Sequence, residues 1–123
     1  MKGYLRHVDD FLLFGGSRSE VRALGEAARE YLRGLRLEIH PDKYRALRCA
    51  EGVDFCGHVV RADGRVRVRA AGVRRFARRD RRMRREAKNG RMPMSAVTQS
   101  VRAWIAHASH AQSWGLRRAV LSR

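Results

Sequence analysis

Lysine is nearly absent from this chain of 123 residues. Only Lys2, Lys43 and Lys88 occur among 28 basic residues, which leaves 25 arginines. The basic balance is therefore built on guanidinium, the group that pairs bidentately with phosphate oxygens and stacks on bases. Cysteine is confined to Cys49 and Cys56, too few to staple a fold of this size. With His40 and His58 they lack a CxxC knuckle, so no zinc site is expected there. Proline occurs only at Pro41 and Pro93, and no apolar run approaches the roughly 20 residues of a membrane span. Charged residues interrupt the first ten positions, unlike the continuous apolar core of a secretory signal. A cytoplasmic chain with no membrane partner is the expectation. The length suits one domain, or part of a larger one.

Acidic residues are also scarce: 12 Asp and Glu leave a net charge of +16. That excludes an acidic solvating chain and makes a polyanion the expected partner. The excess is concentrated. Between Arg61 and Arg91 stand 14 basic residues against Asp63, Asp80 and Glu86, a local charge of +11, while the rest of the chain carries +5. A block of one sign this dense either forms a solvated face or finds a counter-charge, and nucleic acid supplies one.

The apolar pattern changes period along the chain. Tyr4–Val8 and Phe11–Phe14 flank Asp9-Asp10, and Gly15-Gly16 closes the second run, which predicts a β-hairpin with the carboxylates at its tip. Ser17 or Ser19 is a helix cap, followed by Glu20 and by Val21, Leu24, Ala28, Tyr31, Leu32 and Leu35 on one face, with Gly34 as the stop. Leu35–Ile39 alternates with period two and predicts a strand ending at His40-Pro41-Asp42-Lys43. A further strand is expected over Val53–Val60, turning at Ala62-Asp63-Gly64 into Arg65–Arg69. From Ala70 the period is helical, with Val73, Phe76, Ala77, Met83 and Ala87 on one face and arginines on the rest, ending at Asn89-Gly90. Ser95 is the expected cap of the next helix, with Val97, Val101, Trp104, Ile105 and Ala108 inward. A short last helix carries Leu116, Val120 and Leu121. Trp104 and Trp114 are expected as core anchors rather than base-stacking platforms, and His107 and His110, three apart, as surface or packing residues rather than metal ligands. The fold class is α+β, antiparallel hairpins with one packed helix followed by helices, dividing into 1–69 and 70–123.

Two adjacent carboxylates in a turn reach the rim of one site although strand neighbours alternate. Mg²⁺ takes one or two protein carboxylates plus water and substrate phosphates, and a pair of such ions clamps both oxygens of a phosphoryl transfer. An Asp-Asp dipeptide standing alone favours a solvated turn, since Asp is a common turn residue. Apolar strands on both sides, a following amphipathic helix and a basic helical tail favour the metal site. No glycine-rich phosphate loop or nucleophile–base pair accompanies it.

The run Tyr4-Leu5-Arg6-His7-Val8-Asp9-Asp10-Phe11-Leu12-Leu13-Phe14-Gly15 resembles the catalytic hairpin of bacterial retroelement-type reverse transcriptases, whose signature is an aromatic residue, any residue, then Asp-Asp. Leu35–Lys43 resembles the family's next motif, a strand ending in lysine. Gly52–Val60 resembles the primer grip, usually Phe-Leu-Gly-Tyr. The tail, including Ser109-His110-Ala111 and Trp114–Arg118, is similar to the thumb of group II intron-like and diversity-generating retroelement enzymes. His7, Cys56 and His58 stand where the family more often has Tyr, Leu and Tyr. The fingers, an earlier palm strand with another metal-binding Asp and the nucleotide pocket precede this hairpin in the family. The resemblance is therefore to the C-terminal part of a reverse transcriptase: the end of a palm with its primer grip over 1–69 and a basic thumb over 70–123.

That resemblance implies an RNA-directed DNA polymerase working by two-metal nucleotidyl transfer. Asp9 and Asp10 would be the metal ligands for Mg²⁺, or Mn²⁺ in its place, and Lys43 a proton donor near the pyrophosphate leaving group. Phe55, Gly57 and His58 would line the primer terminus. Arg74, Arg75, Arg78 and Arg79 would face the phosphates of the RNA template and DNA primer, or of an RNA–DNA hybrid. Deoxynucleotides would be substrates once a partner chain supplied fingers and the earlier palm, the chain alone being inactive. The competing expectation is a non-catalytic nucleic-acid-binding remnant that keeps the basic thumb.

Overall fold

Alternation, capping and helical periodicity each produce an element in the computed structural model, which describes residues 1–122 as an α+β chain. The chain divides into two compact units, Met1–Arg48 and the residues from Cys49 onward. The change of period at residue 70 falls inside the second unit.

In the first unit β1 (Gly3–His7) and β2 (Asp10–Phe14) form an antiparallel hairpin whose register runs from Gly3 opposite Phe14 to His7 opposite Asp10. Only Val8 and Asp9 remain for the turn. Val8 adopts φ +53°, a left-handed conformation that costs a β-branched residue free energy. A lone hairpin is marginal in water, and α1 (Arg18–Gly34) packs against β2. Ser17 is the N-cap: its hydroxyl accepts the Glu20 N–H at 3.1 Å. The Glu20 carboxylate in turn accepts the N-terminal ammonium at 2.8 Å and the Gly16 N–H at 2.7 Å. The ammonium first, then the Gly16 amide, holds its pKa below the usual value. Val21, Leu24, Ala28 and Leu32 are half-buried, whereas Tyr31 and Leu35 are exposed. Gly25 alone in this helix is buried, and a Cβ there would collide with the Tyr44 ring. Arg29 holds that ring from above, its guanidinium carbon 4.2 Å from the centroid.

The strand expected over Leu35–Ile39 does not form. Leu35 and Arg36 turn out of the helix, Arg36 at φ +58°, and the chain runs irregularly to a 3₁₀ turn at Pro41–Lys43. Alternation specifies which side chains would share a face, but a strand also needs a neighbouring backbone to hydrogen-bond, and no strand pairs with this segment among the described residues.

The second unit opens with a three-stranded antiparallel meander, β3 (Val53–Phe55), β4 (His58–Val60) and β5 (Val66–Val68). The single strand expected over Val53–Val60 is thus two strands. Cys56 and Gly57 adopt φ +52° and +80°, the pair of positive values that a two-residue turn with native twist needs, and Phe55 pairs with His58 across it. Gly64 at φ +81° makes the next turn, as its place in Ala62-Asp63-Gly64 predicts. The free edge of β5 is closed by Gln112, whose side chain accepts the Val66 N–H while its backbone N–H donates to the Val66 carbonyl.

Three helices complete this unit: α2 (Ala70–Lys88), α3 (Met94–Ala108) and α4 (Trp114–Leu121). Helix α2 ends at Asn89, where Gly90 at φ +71° lets the amides of Gly90 and Arg91 bond back to the Ala87 and Glu86 carbonyls. Helix α3 starts after Pro93, so Ser95 lies within its first turn and does not cap it. Its inward face is the predicted one. Trp104 stacks on Phe76 of α2 with ring centroids 4.2 Å apart and planes 2° from parallel, and Val68 and Ala108 join them in the core. Trp114, expected inside, is 73% exposed instead.

Candidate functional site

Asp9 sits in the turn of the β1–β2 hairpin and Asp10 begins β2, both exposed. Neither takes part in an ion pair or side-chain hydrogen bond among the described residues. Their four oxygens stay available to solvent and ligand. Two unengaged hard-oxygen donors on adjacent residues fit the partial protein shell that Mg²⁺ uses, which is completed by water and phosphate. No third His, Cys, Asp or Glu gathers with them among the described residues. Lys43 closes the 3₁₀ turn Pro41–Lys43 and is also exposed, with no carboxylate partner among the described residues. These three residues belong to the first unit; the other expected site residues belong to the second.

Phe55, Gly57 and His58 come together at the β3–β4 turn. Gly57 is required there twice over: φ is +80°, and a Cβ would approach His107 Cε1 to 3.1 Å. His58 is buried, with Nδ1 3.1 Å from the Cys56 carbonyl and Nε2 3.1 Å from the His107 carbonyl. A neutral imidazole has one N–H, and either tautomer places it toward one of these two carbonyls. His107 lies in the last turn of α3, where its carbonyl also accepts the His110 N–H at 3.4 Å. His58 therefore ties the tip of the β-meander to the end of a helix, a link that hydrophobic periodicity does not reveal.

The rings of His107 and His110 stand near the same histidine, centroids 4.3 and 6.3 Å from that of His58. Burial first, then the charges of His58, His110 and Arg69, lowers the His107 pKa below 6.5. Folding thus favours neutral His107, whereas the unfolded chain binds its proton near pH 6.5. Its contribution to stability is complete above that pH and is lost as pH falls through the lower folded value. The urea midpoint should decline as pH falls below about 6.5, and decline less in His107→Gln. Equal declines in both proteins would assign the effect to other groups.

The third group is the arginine stripe of α2. Arg74, Arg75, Arg78 and Arg79 are all exposed, as expected from the sequence, and Arg81, Arg82 and Arg85 share their side of the helix. At 100° per residue the seven span roughly 160° of circumference. Six of them, all but Arg74, line one groove of about 590 Å³. None of the seven has a carboxylate partner among the described residues; the helix's acidic side chains are taken by Arg84, 2.7 Å from Asp80, and Arg91, 3.7 Å from Glu86. Arg81, Arg82 and Arg85 were legible from the same helical wheel that groups Arg74 with Arg78. Asp80 was not. It lies 8% exposed between Phe76 and Ala87 on the inward face, one oxygen on Arg84 and the other buried without a partner.

Compared with family models, curated proteins and solved structures, the chain matches none. The chemistry has to be read from the residues. No helix among the described residues is long and apolar enough to cross a membrane. Seven guanidinium groups without a carboxylate partner among the described residues lie along one side of α2, where they offer positive charge and bidentate donors.

Proposed function

We propose that this chain is the C-terminal part of a retroelement-type reverse transcriptase, with the last palm hairpin, the primer grip and a basic thumb. The observation that carries the reading is the unpaired arginine stripe of α2, joined in one chain to an exposed, unengaged Asp9-Asp10 hairpin. On this reading Asp9 and Asp10 hold Mg²⁺ or Mn²⁺, and Lys43 gives a proton toward the pyrophosphate leaving group. The bound ions would supply the positive charge that stabilises the attacking and leaving oxygens of phosphoryl transfer. Phe55 and Gly57 border the primer terminus, and His58 keeps their turn in place through its two carbonyl contacts. The arginines of α2 track template and primer phosphates without reading sequence. Tyr4, Leu5, Tyr31, Leu35 and Leu37 are about half exposed or more, an apolar surface that the earlier palm elements would cover.

A primer-extension assay on an RNA template with a DNA primer tests the reading. The 123-residue chain carries counterparts of the later family motifs alone, so it should bind the hybrid and extend nothing in Mg²⁺. Addition of a chain carrying fingers and the earlier palm of such an enzyme should restore deoxynucleotide incorporation, which Asp9→Asn abolishes while hybrid affinity stays within about twofold, since that carboxylate touches no phosphate-binding arginine. Undiminished extension by the Asp9→Asn complex would remove this residue from the site. Failure of the unaltered chain to bind hybrid would end the reading, and hybrid binding that no completing chain converts into extension would leave a nucleic-acid-binding module.

A further inference from the structure

Trp114 is the most exposed large apolar side chain among the described residues, at 73%, and it stands at the start of α4 near two arginines. With Ile105, Arg117, Arg118 and Leu121 it lines a groove of about 370 Å³, within the range of small-ligand pockets. The groove has an apolar floor, one open aromatic face and two cations. Arg117 lies with its guanidinium carbon 5.6 Å from the Trp114 centroid and donates through Nη1 to Ser109 at 3.1 Å, which fixes it in place. Its Nε is buried and has no hydrogen-bond acceptor. Arg118 is exposed, and neither arginine has a carboxylate partner among the described residues.

We infer that this groove binds an unpaired base of single-stranded nucleic acid, stacked on Trp114, with Arg117 and Arg118 on the flanking phosphates. An indole face open to solvent accepts any base, and adjacent cations hold the backbone that carries it. The charge excludes the obvious competitor. A second copy of the chain would bring another +16 against this one, with no acidic patch on the groove to meet it. The inference rests on the nucleic-acid reading above and adds a site to it: the α2 stripe takes the paired region, and the α4 groove takes a strand that has left the duplex.

Two measurements on the full chain test it: quenching of tryptophan fluorescence by a short oligothymidylate, and the anisotropy of a dye-labelled oligothymidylate, which gives the affinity of every variant, including those without the indole. Trp104 is buried against Phe76, so quenching reports on Trp114. Single-strand affinity should fall roughly 5- to 150-fold in Trp114→Ala, the range for losing one stacked base. Trp114→Phe should keep most of the affinity and Trp114→Leu should not, because leucine fills space without stacking. Arg118→Ala should flatten the log–log salt dependence by about 0.7. Binding of an RNA–DNA duplex, measured in parallel, should be unchanged in all four variants. If the unaltered chain binds neither single strand nor duplex, the nucleic-acid reading fails. If duplex binding persists but Trp114→Ala leaves single-strand affinity unchanged, this inference alone fails. Full affinity in Trp114→Leu would make the groove an apolar docking site, and a dimer abolished by Trp114→Ala would seat a second copy there; either result overturns it.

Discussion

Replacing Arg74, Arg75, Arg78 and Arg79 together by alanine should flatten the salt dependence of hybrid binding by about 3.6 log–log units. Each phosphate neutralised by a guanidinium releases condensed counterions, which contributes roughly 0.9 to the slope on duplex nucleic acid. Over a fourfold rise in salt, four lost contacts make the variant's affinity change roughly 150-fold less than that of the unaltered chain. All four residues are exposed and none has an acidic partner whose charge would be stranded, so the substitutions act chiefly on binding; Arg79 alone of the four also touches the core, its guanidinium carbon 5.8 Å from the Phe76 ring centroid. Alanine also favours the helix. The loss should be the same for all base sequences, because phosphate contacts carry no sequence information. Isotherms at several salt concentrations decide the matter: an unchanged slope would place the contact surface elsewhere, and Arg81, Arg82 and Arg85 on the same groove are the next residues to replace.

Trp104→Ala should unfold the second unit or bring it close to unfolding. The core there is small, with Val68, Phe76, Trp104 and Ala108 as its buried cluster, and the indole is its largest member. Truncating a buried tryptophan costs about 3–5 kcal/mol through lost burial and the cavity left behind. A small unit has a total stability near the low end of about 5–15 kcal/mol. The Phe76 stack would be lost as well, and that stack joins the inward face of α2 to α3. Helix α2 would lose the support that orients its arginines, so hybrid binding should weaken in parallel. Trp104→Phe, which keeps an aromatic face for Phe76, should cost less. Urea unfolding followed by far-ultraviolet circular dichroism measures both; a loss under about 0.5 kcal/mol in Trp104→Ala would remove this residue from the core.

Elements whose information is local are legible in the order of residues. The β1–β2 hairpin follows from apolar runs on either side of Asp9-Asp10, and α1 and α2 from the spacing of Val21, Leu24 and Ala28 and of Val73, Phe76 and Ala77. Gly90 ends α2 because it alone of the neighbouring residues takes a left-handed backbone without cost. The α+β class rests on these features. Leu35–Ile39 misleads because alternation is necessary for a strand and pairing is what completes it. Val53–Val60 is divided by Cys56-Gly57, a turn signal masked by the apolar residues around it. Of the candidate site, the Asp9-Asp10 pair and the arginines of α2 can be named from sequence because adjacency and helical spacing fix their relation to one another.

Partnership across long separations is a matter of tertiary structure. His58 and His107 stand 49 positions apart, and nothing in either neighbourhood announces that one imidazole will meet the other residue's carbonyl. Val66 and Gln112, 46 positions apart, close a sheet edge in the same way. Trp104 and Trp114 are chemically identical, yet one stacks in the core and the other faces solvent, because burial depends on which surface a helix turns toward its neighbours. Asp80 occupies an inward position that composition assigns to solvent, made tolerable by Arg84 one turn later. Periodicities, turns and the sign and density of charge are properties of neighbouring residues, so the order of amino acids is enough to set them. Packing alone selects which side chains are hidden, which arginines are left without counter-charge and which aromatic face stays open, since each depends on residues the chain brings together only on folding.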